Sequence, residues 1–580
     1  LEDGTQTAFR RPADGAPAIT LPALPEGRHR LWLDGAPDAV CHLTVAPRTC
    51  FLPPRLAGGR RAAGVAAHLY TLRRAGDQGI GDFTSLAEMG RAASRWGAAT
   101  VGINPLHALF PVDRTRCSPY HPSDRRFLDP IYLDVAALAP GAAFAALRAP
   151  DGVDYLSVWA TKREILWQAF LAGGRDDPAF AAFEAAGGEA LRDFARFEAL
   201  CAAQGHAHWQ TWPEALRHPG SPSVAAVADP DLVRFSAWLQ FQADRQLAAA
   251  ARNSGLSLGF YRDLAVGAAP DGAEAWGRQD ALLTGVSVGA PPDPFSQDGQ
   301  VWSLPPPDPL AMAAEGYAGF AGLLAANMRH AGALRIDHVM GLQRLFLVPD
   351  GARAQDGAYV GYPLTDLLGQ LTLESRRAGC LVVGEDLGTV PEGFSETMQA
   401  ADVLSYSVLW FSEDADGFRP PAAWRPRAAA CVSTHDLPTL AGWWEGADIA
   451  EQVRIGRMTA DAATAATTRR AADKAALLRL LVAEGLWPAD ADAPAAMTPA
   501  LSGAVHALVA ATPAALALVQ ADDLAGETEA VNLPGTNHER PNWQRRLHVA
   551  VDGLCDGAIG RAIRDAIAAN PRSAGRLEDA

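Results

Sequence analysis

The sequence predicts an α/β protein whose main unit is a (β/α)8 barrel, or TIM barrel, with helical insertions and a small N-terminal β region. Three short apolar segments, each suited to a buried strand, end at a carboxylate: Asp337, Glu385 and Asp436. Between residues 64 and 106 a strand, a glycine-bearing loop, an amphipathic helix and another strand follow one another, which indicates parallel pairing. In such a barrel the carboxyl ends of the strands share one face, where active sites are built.

The first 52 residues form a unit of their own in this interpretation. Residues 28–33 and 42–45 are short alternating runs separated by turns that contain Gly and Pro. We therefore expect a small N-terminal β module, or the remnant of one, over 1–52. Residues 53–580 are expected to form the catalytic barrel with its insertions.

The barrel begins with a strand over Gly64–Tyr70 in this prediction. An amphipathic helix over Phe83–Trp96 follows, with Asp82 in position to cap its first turn. The next strand is predicted at Ala99–Leu106. This order of elements implies a βα crossover between parallel strands.

The middle and end of the chain are predicted to be mostly helical. Ala- and Leu-rich stretches over about 150–250 and about 448–519 are interpreted as helical insertions. A strand at 256–263 lies between them and again ends in charged residues. Residues 285–309 contain so many Gly and Pro residues that we expect a long loop without regular structure, and such loops are often functional. A polar loop at 531–543 precedes a final helix.

Composition narrows the class of protein. The chain has 580 residues and a formal net charge of −16, and it lacks a long basic run, which argues against nucleic-acid binding. Its 7 cysteines lack the spacing of a metal site or disulfide framework, so we expect a reducing, cytoplasmic location and no metal. The most apolar segment, 503–519, contains His506 and Pro513 and is too short to cross a membrane.

The three strand-end carboxylates match the chemistry of glycosidic bond cleavage. That reaction needs one carboxylic acid to protonate the departing oxygen and one carboxylate to attack or stabilise the cationic sugar carbon. Asp337 beside Arg335 suits an ionised nucleophile, and Glu385 has the reach of a proton donor whose pKa neighbouring carboxylates would raise. His435 and Asp436 would bind sugar hydroxyls.

Each of these residues also has a structural interpretation. An Asp at a strand end is often a turn or helix-capping residue, and Arg335 is equally explained as an ion-pair partner. Glu385 with Asp386 could instead bind a divalent metal, although no phosphate-binding glycine loop accompanies them. On the long loop, Asp293 and Trp302 are either turn and packing residues or sugar contacts, with Trp302 stacking on a sugar ring.

Several segments together resemble a known family. Residues 334–342, 383–391 and 433–440 resemble the catalytic segments of the 4-α-glucanotransferases, also called amylomaltases or disproportionating enzymes, of glycoside hydrolase family 77. The resemblance spans about residues 60–550 and is most similar to the bacterial maltodextrin-utilisation branch. Further segments follow in the family order: 117–126, 261–267, 289–294, 532–536 and 541–543.

The resemblance assigns roles to individual positions. It implies that Asp337 is the nucleophile, Glu385 the acid/base and Asp436 the stabiliser of the transition state. It further implies contacts with the catalytic Asp or the sugar for Arg335, His435 and Tyr120. Members of this branch have a longer N-terminal β-sandwich region than residues 1–52 supply.

The activity predicted from the sequence is therefore transfer of α-1,4-glucan segments between maltodextrins or to glucose, without a cofactor. A retaining double displacement requires the Asp337 and Glu385 carboxyls to lie about 5 to 5.5 Å apart. The alternative is an α-amylase-type hydrolase, which uses the same three carboxylates with water as the acceptor. A glucan-binding protein without activity is a further alternative, which the complete set of carboxylates disfavours.

Overall fold

The computed structural model describes residues 1–9, 20–139, 152–292, 297–414, 417–536, 538–573 and 575–577. Its strands are β1 (Gly27–Leu33), β2 (Ala36–Val45), β3 (Ala62–Ala67), β4 (Thr100–Ile103), β5 (His107–Ala108), β6 (Asp124–Leu128), β7 (Gly259–Leu264), β8 (Val286–Ala290), β9 (Gln300–Leu304), β10 (Ala333–Ile336), β11 (Arg344–Pro349), β12 (Ala358–Gly361), β13 (Leu381–Gly384), β14 (Ser405–Val408), β15 (Glu413–Asp414), β16 (Gly417–Phe418), β17 (Ala428–Cys431) and β18 (Leu516–Gln520).

The helices surround these strands and also form the excursions from the barrel. They are α1 (Phe83–Trp96), α2 (Tyr155–Leu171), α3 (Pro178–Gln204), α4 (Pro222–Val227), α5 (Pro230–Arg252), α6 (Ala273–Gly277), α7 (Pro309–Ala314), α8 (Ala318–Met328), α9 (Leu364–Ala378), α10 (Phe394–Ala400), α11 (Leu440–Glu445), α12 (Ala447–Arg454), α13 (Ala460–Ala483), α14 (Pro499–Ala510), α15 (Ala521–Ala525), α16 (Val551–Leu554) and α17 (Ala558–Ala569).

Eight of the described strands form a parallel barrel. Their order around it is β3, β4, β7, β10, β13, β14, β17 and β18, and β18 pairs with β3. The junction of β13 and β14 is a single parallel bridge between Val383 and Leu404, supported by a hydrogen bond from the Gly384 N–H to the Leu404 carbonyl at 2.7 Å. The predicted (β/α)8 barrel is confirmed.

Small residues allow the strands of the barrel to pack around its interior. Gly64 of β3 is the ladder partner of Thr100 on β4 and of Leu518 on β18. A Cβ atom at Gly64 would lie 2.6 Å from Cγ2 of Thr100 and 2.9 Å from Cδ2 of Leu518. The position is therefore filled by its neighbours, as the close packing of protein interiors requires.

Helix α1 has the limits that the sequence predicts. The side chain of Asp82 accepts a hydrogen bond from the Ser85 N–H at 2.8 Å and so caps the first turn. Gly97 ends the helix at a φ of 102°, a left-handed conformation that favours glycine. The buried face of the helix includes Leu86 and Trp96, both in the largest apolar cluster.

The N-terminal β strands form an antiparallel hairpin that packs on α9. Arg28 of β1 forms an ion pair with Glu374 of α9 at 2.5 Å, and Gln370 of the same helix donates to the Thr44 hydroxyl of β2 at 2.9 Å. Polar contacts thus join the hairpin to the barrel. The proposed division of the chain at residues 52 and 53 stays a prediction.

Helices α2 to α5 form the excursion between β6 and β7. Its aromatic residues pack against one another, with the rings of Phe170 and Trp238 5.8 Å apart. Trp238 is 1% exposed, which indicates a packing role. Helix α13 lies within the stretch predicted to be helical over about 448–519, and Gly485 follows it at a φ of 73°.

The interpretation of 285–309 as a loop without regular structure is wrong. Strands β8 and β9 form an antiparallel hairpin there, and β8 also pairs with β11. A Cβ at Gly289 would lie 2.2 Å from the Gln300 carbonyl oxygen, so this glycine permits the close approach of the two strands. Gly289 was interpreted as a residue that interrupts regular structure, but the pairing of β8 with β9 requires a glycine there.

The helical interpretation of 448–519 is wrong at its end. Residues Leu516–Gln520 form β18, the barrel strand between β17 and β3. Its first four residues are buried. A short apolar run of this kind does not show by its periodicity whether it is a buried strand or a buried helix.

None of the helices in the described ranges combines the length and the apolar character needed to cross a bilayer.

We expect Gly64→Ala to destabilise the protein by about 1–3 kcal/mol, because the new methyl group overpacks the barrel interior. The matched control is Gly361→Ala in β12, where an added Cβ has no heavy atom within 4 Å among the described residues. Thermal unfolding followed by circular dichroism measures both variants. Equal melting temperatures for the two variants would contradict the close packing described for β3.

Candidate active site

Strand register brings Asp337 and Glu385 to neighbouring positions. Asp337 follows β10 and Glu385 follows β13, and the last residues of these strands, Ile336 and Gly384, are ladder partners. The N–H of Glu385 donates to the Ile336 carbonyl at 3.0 Å. Because parallel neighbours end at the same face of a barrel, the two residues leave their strands side by side.

Arg335 lies between two carboxylates. Its Nη2 is 2.7 Å from Oδ1 of Asp337, and its Nη1 is 2.8 and 3.0 Å from the two oxygens of Asp263. Asp263, on β7, is the ladder partner of Arg335. Burial lowers the pKa of Arg335, but the two carboxylates outweigh this and raise its pKa well above the ordinary value, so the guanidinium stays charged.

Glu385 is a buried acid with two backbone donors. It is 9% exposed, its Oε2 accepts from the His338 N–H at 3.0 Å, and its Oε1 accepts from the Leu387 N–H at 2.6 Å. Burial is the largest influence on the pKa of Glu385 and raises it. The Asp337 carboxylate raises it further, whereas Arg335 and the two N–H groups lower it, and the net pKa is about 7.

Tyr120 and His435 form a stacked pair that contacts Asp263. Their ring centroids are 4.6 Å apart at an interplanar angle of 17°. The Tyr120 hydroxyl donates to Oδ2 of Asp263 at 2.7 Å and lies 3.3 Å from Nδ1 of His435. Burial raises the pKa of Tyr120 well above its ordinary value, so the hydroxyl is a neutral donor. Trp543 packs against both rings at 5.5 and 5.7 Å.

Asp436 lies on the loop after β17 and is the most accessible of the three carboxylates, with 49% of its side chain exposed. Its Oδ2 is 3.3 Å from Nε2 of His435, and its Oδ1 accepts from the amide of Asn532 at 2.7 Å. Partial desolvation raises the pKa of Asp436, but His435 and Asn532 lower it more, to about 2. Burial lowers the pKa of His435, and Asp436 reverses this effect and raises it.

The positive charge of Arg335 lowers the pKa of Glu385 and also that of Asp436. A pocket open to solvent lies at this end of the barrel and is lined in part by Asn104, Tyr120, Asp263, Arg335 and His435. The structure thus brings six of the predicted residues to one end of the barrel: Asp337, Glu385, Asp436, Arg335, His435 and Tyr120.

Trp302 reaches the site from the β8–β9 hairpin. Its ring meets that of His338 edge to face, with centroids 5.4 Å apart, and His338 directly follows Asp337. The indole N–H donates to the side-chain oxygen of Gln300 at 3.0 Å. The predicted contact residue Asp293 lies outside the described residues.

The contacts of Asp386 argue against the divalent-metal alternative. Its Oδ2 is 2.6 Å from Nη1 of Arg425, and its Oδ1 accepts from the Tyr406 N–H at 2.9 Å. Both oxygens are therefore already bound by donors, one of them a cation. Within the described ranges, no cluster of three His, Cys, Asp or Glu residues has the arrangement of a metal site.

Three residues of the site were not assigned from the sequence. Asp263 joins Arg335 to Tyr120, Asn532 orients Asp436, and Trp543 backs the stacked rings. The signal for Asp263 was present, since its strand also ends in charged residues. Asn532 and Trp543 lie on a polar loop about a hundred residues after Asp436, and local sequence gives no sign of that approach.

Comparisons with known proteins agree on one family. The family model described as 4-alpha-glucanotransferase, glycoside hydrolase family 77, matches residues 67–551. The 4-alpha-glucanotransferase of Mycobacterium tuberculosis is 40% identical over 94% of this chain and 81% of its own length. That of Haemophilus influenzae is 34% identical over 91% of this chain and 81% of its own.

Solved structures give the same result. The amylomaltase of Corynebacterium glutamicum superposes with a TM-score of 0.80 at 31% identity, over 91% of this chain and 78% of its own. The amylomaltase of Streptococcus agalactiae, solved with acarbose, has a TM-score of 0.70 at 18% identity over 87% of this chain and 98% of its own, a likeness of fold.

The charges around Glu385 predict the pH at which its carboxyl group titrates. In the wild type, Glu385 is expected to titrate at a pH of about 7. Asp337→Asn removes a neighbouring negative charge and is expected to lower that pKa. Carbon-13 NMR of labelled glutamate carboxyls measures both, with Glu385→Gln to identify the signal. A Glu385 signal that titrates near the ordinary value of about 4.3 in both proteins would contradict this description.

Proposed function

The chain belongs to the 4-alpha-glucanotransferase family, glycoside hydrolase family 77, and from this we propose that Asp337, Glu385 and Asp436 carry out a retaining double displacement on α-1,4-glucans. As a member of the family the protein is a 4-alpha-glucanotransferase, an enzyme that transfers glucan segments from a donor to an acceptor. The α-amylase-type alternative is not favoured by these findings. What is proposed is the role of each residue.

The observation that carries the proposal is the contrast between two adjacent carboxyl groups. Asp337 forms an ion pair with the Arg335 guanidinium at 2.7 Å. Glu385, one strand away, is buried and has a pKa of about 7, so it exchanges a proton near neutral pH. When two neighbouring carboxyl groups have such different environments, the ionised one is usually assigned as the nucleophile and the protonated one as the acid.

The first step breaks the donor's glycosidic bond. Arg335 holds Oδ1 of Asp337, so the other oxygen attacks the anomeric carbon of the sugar. As the bond from that carbon to the glycosidic oxygen breaks, Glu385 transfers its proton to the departing oxygen. The products are a covalent β-glucosyl ester of Asp337 and a released glucan fragment with a new 4-hydroxyl group.

The second step reverses these roles. Glu385, now ionised, removes the proton from the 4-hydroxyl of an acceptor sugar, and that oxygen attacks the anomeric carbon. The ester bond to Asp337 breaks, and an α-1,4 bond forms with retained configuration. The acceptors in this proposal are glucose and maltodextrins. The carboxyl separation of about 5 to 5.5 Å that retention needs stays a prediction.

Asp436 and His435 are proposed to hold the sugar ring as positive charge develops on it. The low pKa of Asp436, about 2, keeps this carboxylate ionised throughout the working range. Half of its side chain is exposed, so it is free to accept hydrogen bonds from sugar hydroxyls. Tyr120 supports the imidazole from one face and is oriented by Asp263.

Transfer rather than hydrolysis requires that water be kept from the covalent intermediate. The β8–β9 hairpin supports this requirement, because it carries Trp302 to within ring contact of His338, next to the nucleophile. We propose that Trp302 covers this side of the site and offers an apolar face to the acceptor. The location is proposed to be the cytoplasm, which suits seven cysteines that are all free thiols.

The expected product pattern distinguishes transfer from hydrolysis. Wild-type protein incubated with maltotriose should give glucose and a ladder of longer maltodextrins on chromatography. Glu385→Gln should lower kcat by roughly 10²- to 10⁴-fold because the proton donor is lost. Asp337→Asn should abolish the ladder, because the covalent ester no longer forms.

The matched control is Asp366→Asn, which changes an exposed carboxylate on α9 and should leave turnover unchanged. Circular dichroism of each variant verifies its fold. Near-normal turnover in Asp337→Asn or Glu385→Gln would refute the assigned roles. Glucose and maltose without longer products would instead point to hydrolysis.

A further inference from the structure

The barrel has one junction that differs from the others. Around the described sheet, seven neighbouring strand pairs have between three and five residue pairs in register. Strands β13 and β14 share a single bridge, between Val383 and Leu404. The proposed acid, Glu385, is the residue that follows β13 at this junction. The backbone there has fewer cross-strand hydrogen bonds to hold it in place.

Side chains replace the backbone ladder beyond this bridge. The Tyr406 N–H of β14 donates to Oδ1 of Asp386 at 2.9 Å, and the Tyr406 carbonyl accepts from Nη2 of Arg425 at 2.5 Å. Arg425 also binds Asp386, with Nη1 2.6 Å from Oδ2 and Nη2 3.3 Å from Oδ1. Asp386 and Arg425 thus satisfy both polar groups of one strand residue. We call these two residues the seam clamp.

Asp386 of the seam clamp lies next in sequence to Leu387, whose N–H binds the Glu385 carboxylate. Oε1 of Glu385 accepts from the Leu387 N–H at 2.6 Å, and Asp386 is the residue between the two. The conformation of Asp386 therefore sets the direction in which the Leu387 N–H points. Asp386 has 5% of its side chain exposed, so this anchor is shielded from solvent, whereas Arg425 reaches it from the surface with 44% exposed.

We propose that Asp386 and Arg425 are positioning residues for Glu385. By joining β13 to β14 where the ladder ends, they fix the turn from which the Glu385 carboxyl reaches the glycosidic oxygen. They do not touch the substrate in this proposal and act through the backbone of residues 385–387. The inference rests on the proposed acid/base role of Glu385 and adds the two residues that fix the position of its carboxyl group.

The expected effect is a loss of proton transfer rather than of substrate binding. A misplacement of about 1 Å at a reacting group can lower a rate by roughly 100-fold. Arg425→Met keeps much of the side-chain volume and removes the guanidinium, and it should lower kcat on maltotriose by about 10- to 100-fold with little change in KM. The hydrogen bond from the Leu387 N–H to the Glu385 carboxylate lowers the pKa of Glu385. Because the substitution weakens that bond, the basic limb of the kcat profile should move to higher pH.

A donor whose leaving group needs no proton separates positioning from general damage. With α-maltosyl fluoride the first step releases fluoride ion, so the fluoride burst should stay near the wild-type rate in Arg425→Met. The matched control is Arg427→Met, which removes a partly exposed Arg just before β17 from an ion pair with Asp402, just before β14. That variant should retain wild-type turnover and pH dependence.

Each outcome decides the question. The proposal would be overturned if Arg425→Met kept the wild-type kcat and pH profile, or if Arg427→Met lost as much activity as Arg425→Met. It would also be overturned if the rates of Arg425→Met on maltotriose and on α-maltosyl fluoride fell equally. If Arg425→Met does not fold, Arg425→Lys and Asp386→Asn are measured in the same way, and unchanged maltotriose turnover in both would overturn it. Glu385→Ala separates the proposed acid/base role of Glu385 from the proposed positioning role of the seam clamp. If Glu385→Ala stays active on maltotriose, the acid/base role is wrong. If Glu385→Ala is inactive while Arg425→Met has normal turnover, only the positioning role is wrong.

Discussion

The site depends on one cation held between two carboxylates inside a barrel. Arg335 contacts Asp263 on the neighbouring strand and Asp337 two residues along its own chain. Without that charge, the two carboxylates at the barrel mouth would repel each other. The cation also lowers the pKa of Glu385 and Asp436, so a single guanidinium influences every carboxyl group assigned to the reaction.

Much of this arrangement could be predicted from the sequence. Apolar runs that end at Asp337 and Glu385 identified two barrel strands, because in parallel sheets buried strands are nearly continuous apolar runs and functional groups follow them. The same argument placed Asp436 after a third strand, although four residues lie between it and the end of β17. Asp82 predicted the start of α1, since a capping carboxylate acts through its own first turn.

The parts that escaped prediction are those determined by partners far away in the chain. Gly289 suggested a break, yet its missing side chain is what permits pairing with Gln300. Leu516–Gln520 has the pattern of a buried helix as much as that of a strand, and its neighbours in the barrel decide between them. Asn532 approaches Asp436 across about a hundred residues, and neither local sequence contains that contact.

Two of the carboxyls leave directly from strands, whereas Asp436 stands on a loop with half of its side chain in solvent. In the proposed mechanism, the spacing between the attacking carboxylate and the proton donor is therefore set by the hydrogen-bonded framework of the sheet. The carboxylate proposed to bind the sugar ring is placed instead by a loop, where Asn532 and His435 are its partners. A substitution in that loop would then alter the contacts with the sugar ring and leave the spacing of the other two carboxyls unchanged.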